Sequence, residues 1–142
     1  MFLIDIEVSP KNKNFSNIDN KYLVGKSKED SKVFNVLIYA RYDVEEAVIP
    51  PQIEIIKQKS FGNHEKLKSI IFPENSKLNY IESSAFGLSS LSKLVLPASI
   101  EQFHFQAFSD IKHLNEIEVS PQNQTFSIIN KTFLVRKSEP TN

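Results

Sequence analysis

The residues of this chain that could carry chemistry are His64, His104 and His113, the glutamate rows Glu45/Glu46 and Glu116/Glu118, and many serines. A metal site needs ligands converging on one point, usually at short helical or loop spacing. The histidines fall at unrelated positions and there is no cysteine, so no metal ligand set is identified. A serine or histidine dyad fares no better, because with so many polar residues some serine will lie near a histidine or acid by accident. Hydrolysis of a glycosidic bond would need carboxyls facing each other across a cleft. The two glutamate rows look instead like solvated rims. No glycine-rich phosphate loop is present. Catalytic, cofactor-binding and metal residues are therefore all expected to be none. The triplets at Asn14, Asn123 and Asn130 fit the N-glycosylation pattern, but such triplets arise freely in a chain this rich in Asn and Ser.

Composition narrows the classes further. The chain has 142 residues, with 17 Lys plus Arg against 17 Asp plus Glu, so its formal net charge is zero. That balance speaks against nucleic acid and against a polybasic membrane patch. No run approaches the roughly 18 apolar residues of a membrane span. The N-terminal stretch has no basic region and meets an acid at Asp5, so no signal peptide is visible. This points to the cytoplasm.

The elements that must position any site come from a repeat. Segments starting at Val44, Leu67, Leu91 and Leu114 read VEEAVIP, LKSIIFP, LSKLVLP and LNEIEVSP, at steps of 23, 24 and 23 residues. A second anchor recurs five residues apart as Ile56 to Phe61, Ile81 to Phe86 and Phe103 to Phe108. Alternation within LVL (94–96) turns the leucines inward and Val95 outward. Pro73 and Pro97 end their strands because proline cannot donate to the ladder. Phe61, Phe86 and Phe108 should stack as an interior column. A unit of this size cannot bury its apolar side alone, so neighbours must stack.

A longer repeat frames the short ones. Residues 6–27 and 117–138 are identical at 13 of 22 positions, at an offset of 111. In the first copy the charged tip 27–32 leads into the β-rich run 33–40, so 21–25 and 33–40 should pair as a hairpin. The second copy stops at Asn142 before such a partner strand could form.

The spacing P-x-x-I…I-x-x-x-(A/S)-F…L-x-x-(I/L)-x-(L/F)-P resembles the BspA-like class of leucine-rich repeats, the Ala-Phe type. Its carriers are Ile56, Ser60, Phe61, Ile81, Ala85, Phe86, Phe103, Ala107, Phe108 and the prolines 50, 73 and 97. The resemblance covers roughly residues 3–138. Two departures are Ser60 in place of alanine and the absence of a glycine before the Ala-Phe stretch. The resemblance implies a β-rich repeat solenoid: a curved, right-handed coil with short helical turns, a parallel strand ladder and a β-hairpin insertion near the N-terminus. Residues 1–142 form a single domain with a long hairpin-bearing unit (3–43), short repeats (44–66, 67–90, 91–113) and a partial unit (114–138). It further implies a non-catalytic protein–protein interaction or adhesion scaffold at the cell surface, with host or matrix proteins as partners. An intracellular structural protein and a carbohydrate-active enzyme module are the alternatives.

Two places are candidate contact surfaces. Register turns Glu7, Val48, Ile71, Val95 and Glu118 outward from the ladder. At about 4.8 Å between strands the three aliphatics make a stripe about 10 Å long. Acidic rows (Glu45, Glu46, Glu116, Glu118) flank it. Exposed aliphatics in register mark contact sites, so Val48, Ile71, Val95, Glu118 and Glu116 form the candidate binding face. The chain also begins its pattern at Leu3, a first core position, and ends inside a hairpin unit. Thr132, Phe133, Leu134 and Val135 should then present an unpaired edge, a candidate for self-assembly into a homo-oligomer.

Overall fold

The computed structural model describes residues 4–130 and 133–138. Leu3 lies outside the described residues. The chain is a β-solenoid of about four turns. Its strands are β1 (Phe15–Ile18), β2 (Tyr22–Gly25), β3 (Val36–Ala40), β4 (Glu46–Val48), β5 (Ile55–Ile56), β6 (Ser69–Ile71), β7 (Tyr80–Ile81), β8 (Lys93–Leu96), β9 (Gln102–Phe103), β10 (Glu116–Val119), β11 (Phe126–Ile129) and β12 (Phe133–Arg136). Each short rung gives one strand to each of two sheets. One sheet runs β4-β6-β8-β10, all parallel; the other runs β1-β2-β3-β5-β7-β9, parallel from β3 onward.

The hairpin expectation is met: β2 pairs antiparallel with β3, and β1 pairs with β2 on the other side. The second copy of the frame builds the same two strands, β11 and β12, as an antiparallel pair. The expected short helical turns are not formed. No helix occurs among the described residues, and the segments at 58–62, 83–88 and 105–110 are hydrogen-bonded turns. Positive backbone φ at Lys59 (60°), Ser84 (51°), Asn63 (60°), Leu88 (60°) and Asp110 (62°) breaks any helical run there. A left-handed residue reverses the chain, and here residues with side chains hold the turn at some steric cost.

The interior is one apolar cluster, from Tyr22 and Leu37 through Ile56, Phe61, Ile81 and Phe86 to Leu94, Ala107 and Phe126. The phenylalanine column forms as expected. Phe61 and Phe86 lie 5.6 Å apart by ring centroid, and Phe86 and Phe108 6.3 Å apart in parallel planes. Ser60, the departure from alanine, is fully buried and donates its hydroxyl toward the carbonyls of Lys57 and Leu37, at 2.7 and 3.1 Å. A buried hydroxyl satisfied in this way costs little. Replacing Phe86 by Ala should lower stability by about 3–5 kcal/mol, since the ring contacts both neighbours and no side chain can fill the space. Urea unfolding followed by circular dichroism checks this. A loss under 1 kcal/mol, far below the typical cost of emptying a buried phenylalanine site, would mean the column collapses freely.

Candidate functional site

The parallel sheet β4-β6-β8-β10 carries the candidate face. Alternation buries Ala47, Ile70, Leu94 and Leu96 and turns Val48, Ile71 and Val95 out, at 50%, 42% and 38% exposure. The register sets Val48 beside Ile71 and Val95 beside Glu118. Ile71, one residue past the Ile70–Leu94 pair, comes level with Val95. The three aliphatics therefore form the expected row, ending on Glu118. Glu7 does not join it: residues 4–9 form no strand, although Glu7 is exposed.

The flanking rows are not simply acidic. Lys93 donates to Glu116 at 2.9 Å and to Glu118 at 3.0 Å, and Lys68 donates to Glu45 at 2.9 Å. Ser69 donates its hydroxyl to Glu46 at 3.3 Å. The hydrogen bonds it gives to Glu116 and then to Glu118 hold the Lys93 ammonium above its ordinary range. The hydrogen bond from Lys68, with its charge, holds the Glu45 carboxyl low. Ion pairs this exposed add little stability, but they leave the apolar row as the distinctive feature of the face. Beside the row, at the strand ends, lies a cleft of about 450 Å³ lined by Ile71, Phe72, Pro73, Val95, Pro97 and Pro121. Sequence reading found the row and missed the cleft. Its signal was present in the prolines that recur at the repeat period.

A second cleft, of about 600 Å³, lies between β10 and β11 and includes Glu116, Glu118, Phe126 and Lys137. Both glutamates are half exposed and held on one ammonium, as in a surface ion pair. Among the described residues no group of three or more His, Cys, Asp or Glu could hold a metal ion. His64 belongs to the core. It is fully buried, its Nδ1 and Nε2 lie 3.0 Å from the carbonyls of Gly62 and Ala40, and the rings of Tyr42, Phe61 and Tyr39 surround it. Asn123, one of the glycosylation triplets, is also fully buried, with its amide used in hydrogen bonds, so it accepts no sugar in the folded chain.

Of the candidate edge, Thr132 lies outside the described residues. Residues 133–136 form β12, which among the described residues pairs with β11 alone, whereas its counterpart β2 has strands on both sides. No described helix is long and apolar enough to cross a membrane.

Comparison with known proteins places this architecture. A family model described as the BspA type leucine rich repeat region matches residues 34–135, in six copies. The chain belongs to the BspA-type leucine-rich-repeat family. Among solved structures, the pneumococcal vaccine antigen PcpA is similar at 31% identity and a TM-score of 0.62, over 67% of this chain and 24% of that one. A leucine-rich cell surface protein of Faecalibacterium prausnitzii matches at 22% identity and a TM-score of 0.57, again over 67% of this chain and 24% of that one. The chain thus spans about a quarter of the length of each. No curated protein matches its sequence.

Between rungs of this leucine-rich-repeat chain, Glu82 is a further charged link. It accepts from Lys57 Nζ at 2.7 Å and from the Gln58 backbone N–H at 2.8 Å. Partial burial works against its ionisation, but the hydrogen bonds from Lys57 and Gln58, with the lysine charge, outweigh it and hold the carboxyl below its ordinary 4.5. A carboxyl depressed by folding stabilises above its unfolded pKa, and that contribution is lost as pH falls through the folded value. Glu82→Gln should therefore reduce stability slightly at neutral pH, by under about 1 kcal/mol, and flatten the acid limb below pH ~4.5. Thermal unfolding of both proteins from pH 7 to pH 3 measures it, and parallel curves would refute the link.

Proposed function

We propose that this chain is a non-catalytic protein-interaction scaffold that engages its partner through the row Val48–Ile71–Val95 and the adjoining proline-lined cleft. The carrying observation is the row itself: three aliphatic side chains at matching register on a sheet face whose other outward groups are charged or polar. Apolar side chains aligned on a rigid ladder are in place before contact, so a partner need not order them. The charged rim on either side, Lys68 with Glu45 and Lys93 with Glu116 and Glu118, suits a polar border around an apolar centre. Similarity to a pneumococcal vaccine antigen supports a surface-exposed place for the scaffold, and the proposal extends this to adhesion with host or matrix proteins as partners. Ile71→Lys together with Val95→Lys should lower adhesion to an extracellular-matrix protein array by at least about tenfold, the effect of losing a central apolar anchor. The melting temperature should hardly change, because both side chains point outward. Undiminished adhesion by a folded double variant would remove this face from consideration.

The proposal extends to self-association by strand pairing along β12, which among the described residues pairs with β11 alone. The intact chain should scatter light as a dimer or larger species, and a chain ending at Lys131 as a monomer. Monomers in both samples would exclude it.

A further inference from the structure

The two sheets treat the junction between the last short rung and the frame after it differently. In one sheet the ladder runs through, with β10 paired to β8 from Glu116 to Val119. In the other it stops. β9 is the last strand of its sheet, and β11, next in the stack, pairs with β12 alone among the described residues. The Phe103 and Phe126 rings, 4.9 Å apart by centroid, bridge the two strands. Both walls of this junction lie within the described residues.

Each earlier rung of this sheet offers two carbonyls, on alternate residues, to backbone N–H groups of the next rung. Asn35 and Leu37 accept from Ile55 and Lys57, at 3.2 and 3.0 Å. Glu54 and Ile56 accept from Tyr80 and Glu82, at 3.1 and 2.9 Å. Asn79 and Ile81 accept from Gln102 and His104, at 3.0 and 2.8 Å. The next pair in the series is Glu101 and Phe103, and among the described residues no backbone N–H donates to either.

Beside these carbonyls lies a cleft of about 440 Å³ lined by Tyr80, Gln102, His104, Phe105, Phe126 and Arg136. Phe105 is 83% exposed, at a place where the earlier rungs carry Gln58 and Ser83, so the stack does not require an apolar residue there. Its ring lies 4.5 Å by centroid from that of His104, whose Nδ1 accepts from the Gln106 N–H at 3.2 Å. No carboxylate lines the cleft, and Arg136 has no ion-pair partner among the described residues.

We infer that this junction is a binding site for an extended peptide segment of a partner protein, which adds to β9 as a strand and places an acidic side chain against Arg136. Three features select that occupant. Carbonyls on alternate residues match the N–H groups that one edge of a strand presents. An unpaired guanidinium in a cleft without carboxylates suits an acid, which it can hold by charge-assisted hydrogen bonds. The exposed Phe105 ring supplies an apolar wall for a neighbouring side chain of the peptide. In strand addition the main-chain bonds give affinity and the adjoining pocket gives specificity. The site lies on the other sheet from the aliphatic row and does not depend on it.

The probe is a pool of capped five-residue peptides with Glu at the centre and Val, Thr or Ser at the flanks, titrated into the full chain. The carbonyl-carbon resonances of Glu101 and Phe103 should shift, and those of Val48, Ile71 and Val95 should stay in place. Arg136→Gln, or a pool with central Gln, should weaken binding at least about tenfold, as expected for the loss of a charged hydrogen-bond partner. Phe105→Ser, the residue type of the preceding rung at this place, should also weaken binding and leave the melting temperature unchanged. A pool methylated on every backbone nitrogen should not bind, and undiminished binding by it would overturn strand addition. Shifts confined to the aliphatic row, or none at millimolar peptide, would overturn the site. The same carbonyl shifts in the full chain alone at rising concentration would overturn the partner peptide in favour of a second copy.

Discussion

The structure depends on one constraint: no rung can satisfy its own backbone or bury its own apolar side. The strands are two to five residues long, too short to persist by propensity. Each gains order from the strand before and the strand after. Backbone donors of one rung enter the carbonyls of the previous one, as Lys57 into Leu37, Glu82 into Ile56 and His104 into Ile81. Among the described residues the same short sequence occurs once beside a pairing strand and once without one. Ile-Glu-Val at 117–119 lies in β10 against β8, and the same three residues at 6–8 form no strand. Strand formation here is a property of the stack.

This constraint separates what a rung must keep from what it can vary. Inward positions hold the column of rings and the Ile and Leu around it, and a polar group is admitted where the stack satisfies it. Ser60, His64 and Asn123 are all buried, and each donates to carbonyls that the turns bring close. Outward positions are free of that demand. The charges there link successive rungs, Lys68 to Glu45 and Lys57 to Glu82, so a chain of zero net charge has its charges ordered in rows across the strands. The aliphatic row lies among them because nothing in the stack requires polarity at those positions.

Much of this was legible in the sequence, for reasons that follow from the same constraint. A repeat that must stack repeats its inward residues, so the period, the phenylalanine column and the outward register of Val48, Ile71 and Val95 could all be read. What could not be read depends on the neighbour across the gap. The sequence marks Asn123 as one of two equivalent asparagines and does not say that its amide enters the Pro97–Ile100 turn. It likewise shows Lys93 and two glutamates on adjacent rungs without showing that one ammonium takes both carboxylates. Helical turns are what the family resemblance implies. Left-handed residues at Asn63, Leu88 and Asp110 decide otherwise, and no periodicity announces a backbone sign.

The repeated frame has two unlike sides. Its first side takes a short rung through an asparagine, a ring and a strand edge, as in 117–126 against 93–103. Its second side takes a strand, as β2 takes β3 and through it β5. The two sides therefore ask for unlike neighbours, a proline turn with its strand on the first and a strand alone on the second.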